Sequence, residues 1–213
     1  MRDYTTDQEQ IEIIKQWWND YGKYLLIAIF AGVLLGFGWR SWHGHQITNN
    51  LAASELYQQL LVADASMNQE QVNKLGEALT NNYKRSPYAV MANLILAKNS
   101  VENNDLVTAK RQLEWIMKYG YTKSFQQIAR IRLARVLLAQ KKTTEALAIL
   151  NKMDDADFSP EINSVKGDIY MAMSDEQNAK KSYQLAQQEL LQHSMEDTVL
   201  KLKLEQSSLQ SIH

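Results

Sequence analysis

His43 and His45, two residues apart, come closest in this chain to a metal-binding pair. A metal site needs three or four ligands, and neither a Cys nor a carboxylate stands beside them, so they read as polar residues at the edge of an apolar stretch. Asp154, Asp155 and Asp157 begin like a calcium loop but lack its central glycine and distal glutamate, which leaves a solvated turn. The chain has no Cys, hence no thiol nucleophile, disulfide or zinc ribbon. It has no GxSxG, no phosphate-cradling glycine loop and no HExxH. These residues predict a protein that is not an enzyme, with no catalytic residue, cofactor or metal.

What remains to carry function is charge and shape. A net charge of −1 argues against a nucleic-acid partner, yet the charges are unevenly placed. Residues 110–142 carry nine bases against Glu114 alone, and residues 143–197 carry eleven acids against four bases. Lys123, Arg130 and Arg132 form the candidate partner surface of the basic band, which could meet lipid headgroups, an acidic partner or a passing chain. Arg130 and Arg132 are expected to point outward, and Arg135, beside Ala134, to be partly packed. The alternatives are that successive turns of the fold pair their opposite charges, or that both faces are simply solvated.

The elements that position these residues are helical. Two Pro and eight Gly among 213 residues, with 45% apolar residues and no Cys, favour an all-α chain over a sandwich needing many punctuated turns. One stretch differs from the rest: residues 24–39 (YLLIAIFAGVLLGFGW) are sixteen uncharged residues between Lys23 and Arg40. Sixteen helical residues rise about 24 Å, and snorkelling by Lys23 and Arg40 extends that toward a hydrocarbon core of about 30 Å. Trp17, Trp18, Tyr21 and Tyr24 at one end, with Trp39 and Trp42 at the other, are placed as aromatic residues are at two membrane interfaces. A cleaved signal peptide fits less well, because five acids and three bases precede the span where a short basic segment is needed. Arg2, Lys15 and Lys23 lie before the span and no base follows Arg40 until Lys74, which predicts a cytoplasmic N-terminus and an exported C-terminal part.

Three segments follow. Residues 1–22 read as a cytoplasmic amphipathic arm, with Thr6 and Glu9 in capping-box spacing and Ile11, Ile14, Trp18 and Tyr21 on one stripe. Residues 23–40 read as a single transmembrane helix in a bilayer, where Ala28, Gly32 and Gly36 recur every four residues and would let another helix approach. Residues 41–213 read as an exported domain with nineteen bases and nineteen acids.

That domain repeats. Small residues stand at Ala97, Ala134 and Gly167; twelve residues after each comes Ala109, Ala146 or Ala179, and four later Leu113, Leu150 or Tyr183. This is tetratricopeptide-like spacing, in which paired antiparallel helices cross at small side chains; Tyr170 and Ala186 strengthen the third unit. Breaks are expected at 103–105, 141–144 and 174–175 within units, and at Gly120 and 154–160 between them. Ser86-Pro87 starts the first clear unit, a degenerate pair (47–65 and 69–83) precedes it, and Met195, Val199, Leu202 and Leu209 could cover the last face. The predicted architecture is one N-terminal transmembrane helix followed by a tetratricopeptide-like α-solenoid.

The order Gln8-Glu9-Gln10-Ile11-Glu12, Lys15-Gln16-Trp17-Trp18, Tyr21-Gly22-Lys23, the apolar span, Gly38-Trp39-Arg40-Ser41-Trp42 and His45-Gln46 resembles the YfgM family of bacterial inner-membrane proteins. The likeness continues through Ser54, Leu56-Tyr57 and residues 131–136 (IRLARV). The resemblance implies an ancillary subunit of the SecYEG translocon that faces the periplasm beside the membrane-anchored chaperone PpiD, with an arm linked to a stress-response regulator. The expected role is a docking platform; the alternatives are a membrane-anchored regulator whose arm binds a cytoplasmic response regulator, and a homo-oligomeric scaffold joined through the glycine face.

Overall fold

The computed structural model describes residues 7–153, 156–192 and 197–210, with only part of the side chains within 7–48 and none of those at 208–210. The helices are α1 (Asp7–Ala65), α2 (Gln69–Asn82), α3 (Pro87–Glu102), α4 (Leu106–Tyr119), α5 (Lys123–Ala139), α6 (Thr143–Leu150), α7 (Ser159–Ala172), α8 (Glu176–Gln192) and α9 (Thr198–Gln210), with a 3₁₀ turn at Ala156–Phe158. Two compact units divide within α1: residues 1–51 and residues 52–213.

In the first unit Trp17, Trp18, Tyr21, Tyr24, Ile27, Phe30, Val33 and Leu34 are exposed. Trp17 and Tyr21, one turn apart, have ring centroids 6.2 Å from each other, and the Lys23 ammonium lies 5.1 Å from the Tyr24 ring. Among the described residues no helix is long and apolar enough to cross a membrane. Several side chains of the expected span (Leu25, Leu26, Ile29, Leu35 and 37–39) lie outside that description, as do Thr6, Glu9, Ile11 and Ile14 of the expected arm.

The second unit is built on one turn used four times. Met67, Asn104, Lys141 and Ser174 have φ of 55°, 58°, 60° and 59°. Each follows an odd-numbered helix, and none is the glycine that such left-handed positions favour. The next residue donates its N–H five residues back: Asn68 to the Ala63 carbonyl, Asp105 to Ser100, Lys142 to Leu137 and Asp175 to Tyr170, all between 2.8 and 2.9 Å. This is the Schellman closure, which satisfies carbonyls that a helix end otherwise leaves open. The same residue then starts the following helix. Asn68 Oδ1 accepts from the Gln71 N–H (3.1 Å), Asp105 Oδ1 from Thr108 (3.0 Å) and Asp175 Oδ1 from Asn178 (3.2 Å). Lys142 makes no such bond.

The turns fix the register of four helix pairs. Seven residues before each left-handed residue lie Leu60, Ala97, Ala134 and Gly167; five after lie Val72, Ala109, Ala146 and Ala179; nine after lie Gly76, Leu113, Leu150 and Tyr183. All twelve are buried. The repeat is therefore four pairs, and the first differs only in where its small residue sits: Leu60-Val72-Gly76 replaces the Ala-Ala-Leu of the second and third. Closely packed interiors tolerate such redistribution because the space to be filled, and not the identity at one position, is what packing constrains. Both glycines are required by close approach. A Cβ on Gly76 would stand 2.6 Å from Leu96 Cδ1, and one on Gly167 would stand against the Tyr183 ring.

Three apolar clusters stack along the unit. The first joins the end of α1, α2 and α3 through Ala53, Leu60, Leu79, Ala89 and Leu96. The second runs from α3 to α7 through Leu113, Ile116, Leu133, Leu137, Leu150 and Ile169. The third holds α8 to α9 through Ala179, Tyr183, Ala186 and Leu200. The closing helix exists, but its inward residues are Leu200, Leu204 and Ser207, while Val199 and Leu202 are each 60% exposed. Two apolar residues at 199 and 202 lie on one side of the helix and Leu200 and Leu204 on another, so spacing alone does not select the face; Met195 lies outside the described residues and the side chain of Leu209 outside the described side chains. A polar lock reinforces this end: the Tyr183 hydroxyl donates to Asp168 Oδ1 (2.8 Å) and Lys203 Nζ sits 2.7 Å from the same oxygen. Burial, then the hydrogen bond and charge of Asp168, hold the Tyr183 phenol well above its ordinary pKa.

Two outcomes follow. Lys142 has φ −94° and ψ 59°, close to the −87° and 72° of Asp105, so Lys142→Asp supplies the missing cap and should raise stability to urea by about 1 kcal/mol. For Tyr183, above about pH 10 the unfolded chain releases a phenol proton that the folded chain keeps, so stability is full below that pH and falls as pH rises. Urea unfolding followed by circular dichroism across that range should show the fall, and Tyr183→Phe should shallow it; Tyr57, raised by burial and by Asp64, supplies part of the remaining slope.

Candidate functional site

In the second unit the end of α1, α3 and α5 border a common groove. A groove of about 610 Å³ is lined by Tyr57 of α1, by Met91, Leu94, Ile95, Lys98, Val101 and Glu102 of α3, and by Arg132, Arg135, Val136 and Ala139 of α5; Leu106 and Leu113 of α4 close it from below. Its size falls within the range of about 300–1,000 Å³ usual for ligand clefts. The apolar floor follows from the sequence: α3 is apolar nearly all round, so Met91, Leu94 and Ile95 remain for the groove after Ala89, Ala92 and Leu96 have packed on α1 and α2. The Tyr57 ring is steadied by Tyr88, at a centroid distance of 5.7 Å. Gln140 Nε2 donates to the Leu106 carbonyl (3.0 Å), tying the end of α5 to the start of α4 at one end of the groove.

Charge is confined to the walls. Lys98 and Glu102, one turn apart on α3, pair at 3.6 Å. Opposite them, Arg132 and Arg135 are both exposed, and among the described residues neither guanidinium has a hydrogen bond or an ion pair.

The three residues of the expected partner surface do not fall together. Arg132 is in the groove, but Lys123 and Arg130 are not. At 100° per residue, positions 123 and 130 lie on nearly the same side of α5 and position 132 lies opposite. Arg130 does not simply point outward: it is half-buried and its Nη1 donates to Oε1 of the buried Gln127 (2.9 Å). Arg135, expected to be partly packed, is exposed. Lys123 is exposed at the first turn of α5. Lys110 of the basic band pairs within its own helix, with Glu114 at 3.7 Å.

The other sequence-derived candidates fall in different places. Ala97, Ala109, Leu113, Ala134, Ala146, Leu150, Gly167, Ala179 and Tyr183 are buried between helices and Tyr170 is half-buried; only Ala97 and Leu113 also touch the groove. Ala28, Gly32 and Gly36 are exposed in the first unit, with nothing within 4 Å of a Cβ built on either glycine. The side chains of His43 and His45 lie outside the described ones, Asp154 and Asp155 lie outside the described residues, and Asp157 is exposed. Among the described residues no three His, Asp or Glu side chains come together as a metal site would need. Sequence reasoning did not find Tyr57, Met91 or Arg135 as groove residues; the i, i+3 spacing of Arg132 and Arg135 was the available signal.

Comparison with known proteins agrees with this architecture. Residues 15–209 match the tetratricopeptide repeat-like domain family. Over 189 residues the chain is 34% identical to the ancillary SecYEG translocon subunit of Aggregatibacter actinomycetemcomitans, covering 87% of this chain and 91% of that one. The chain belongs to the tetratricopeptide repeat-like family of ancillary SecYEG translocon subunits. It is also 31% identical over 203 residues to the Haemophilus influenzae protein of the same name, with 94% and 98% of the two chains covered. With the Escherichia coli one it shares 25% over 184 residues, covering 86% and 88%. No solved structure gives a significant match. Repeats of this family are interaction scaffolds, and the groove is the kind of surface on which a scaffold binds.

The two classes of arginine should separate by stability. Arg130→Ala removes a bond to a buried amide oxygen and should cost about 1 kcal/mol in urea unfolding. Arg132→Ala and Arg135→Ala, which remove exposed and unpaired groups, should each change it by less than about 0.5 kcal/mol.

Proposed function

We propose that this chain is a non-enzymatic ancillary subunit of the SecYEG translocon, anchored by residues 23–40 with its N-terminus in the cytoplasm, and that its helical-repeat unit is a periplasmic docking platform holding a PpiD-like chaperone near the channel exit. The observation that carries this reading is likeness, over nearly the whole of both chains, to proteins named ancillary SecYEG translocon subunits. The apolar stretch between Lys23 and Arg40, with its flanking aromatic residues, supports the anchor. The mechanism is local concentration: a tethered chaperone meets emerging chains at an effective concentration set by the tether, with no new contact to the chain itself.

Protease added to intact spheroplasts tests the topology. The repeat unit should be digested from outside, and its full protection would overturn the reading. Deleting residues 1–22 should leave translocon association intact; its loss would favour a regulator that acts through the arm.

The exposed glycines give a sharper outcome. Space is open beside Gly32 and Gly36, and small residues at a four-residue spacing are where a second helix packs in lipid. Gly32→Leu with Gly36→Leu should preserve insertion and reduce co-purification of the translocon in mild detergent severalfold. Unchanged co-purification would remove this face from the docking account.

A further inference from the structure

The walls of the groove carry charges that the fold itself does not use. Among the described residues Glu102 is the one acid on its lining, and Lys98 already holds it. Across the apolar floor, Arg132 and Arg135 stand one turn apart, exposed, with no partner among the described residues. Their neighbours on α5 behave differently, since Arg130 is spent on Gln127. A guanidinium offers a planar fork of donors that matches a carboxylate in a bidentate pair, and two of them on one helix face define a line along which carboxylates can align.

The floor adds a second requirement. Met91, Leu94, Ile95 and Val136 offer apolar contact between the two walls, so an occupant needs apolar side chains as well as negative charge. A bilayer surface does not meet this description, because a plane of headgroups lies against protruding cations and cannot enter a recess. A free small anion would leave the floor uncovered. An amphipathic helix or extended segment of a protein fits both: its apolar residues lie on the floor and its flanking acids meet one wall.

We propose that this groove binds an amphipathic, acidic segment of a partner protein, with Asp or Glu side chains paired to Arg132 and Arg135 and apolar side chains set between α3 and α5. The proposal deepens the docking-platform reading and rests on it: it names the surface and the chemistry by which the partner is held.

The test uses the purified full chain and two synthetic helical peptides labelled with fluorescein. Both carry leucines at i, i+3, i+4 and i+7; one has glutamates flanking that stripe and the other has glutamines. The glutamate peptide should bind with a saturable change in anisotropy that weakens with salt, and the glutamine peptide should bind at least about tenfold more weakly. Arg132→Glu with Arg135→Glu should lower affinity for the glutamate peptide by at least about tenfold, with an unchanged urea midpoint. Ile95→Lys should also weaken it, whereas Lys142→Glu, a charge reversal off the groove, should not. Equal binding of the two peptides, or full affinity in the double variant, overturns the proposal. Displacement of the peptide by vesicles containing anionic lipid, with vesicle binding lost in the double variant, overturns it in favour of a lipid surface. Translocon co-purification measured on the same variants separates the two readings. Peptide binding that persists while wild-type chain fails to co-purify sinks the translocon role alone, and co-purification without peptide binding sinks the groove alone.

Discussion

Every contact in the repeat unit depends on how close two helix axes can come. That distance is set at each crossing by the combined volume of a few side chains. In the second and third pairs the sum is two alanines and a leucine, in the fourth a glycine, an alanine and a tyrosine, in the first a leucine, a valine and a glycine. The individual sizes change but the space stays filled, and a large ring is admitted at Tyr183 because Gly167 has no Cβ to oppose it. With the crossings held, α3 and α5 come to lie beside each other, and the groove is the surface left between them and the end of α1.

The same constraint explains how much of the fold could be read beforehand. Three units stood out because their small residues occupy the same places. The first pair was seen only as a degenerate one because its glycine has moved from the first helix's crossing position to Gly76 in the second. The intra-unit turns were expected near the right residues but not as one recurring geometry, since left-handed Met67, Asn104, Lys141 and Ser174 carry none of the glycine that advertises such a turn. The last helix was placed correctly and its inward side was not: Val199, Leu200, Leu202 and Leu204 spread over too much of its circumference for spacing to choose among them.

The site was less legible than the fold, for a reason of rotation. Counting bases along residues 110–142 treats the chain as a line, but a helix turns 100° with each residue. Lys123 and Arg130 share a side that Arg132 opposes, and a band in the sequence becomes two surfaces in space. One serves structure, through the buried Gln127. The other faces a groove whose apolar residues come from several separate helices, which no pattern within one helix records.

Among the described residues of the repeat unit, the helix contacts from α2 to α9 join each helix to the next one or two in sequence. Contacts of short sequence separation form quickly, because little loop entropy is lost in making them. A chain arranged in this way can fold in the order in which it is delivered, pair upon pair, as each emerges from whatever conduit supplies it. The seating of α9 comes after α7 and α8 in this order, with Lys203 reaching back to Asp168 across thirty-five residues. Until α9 seats, the apolar cluster around Tyr183 and Ala186 lacks the cover that Leu200 supplies.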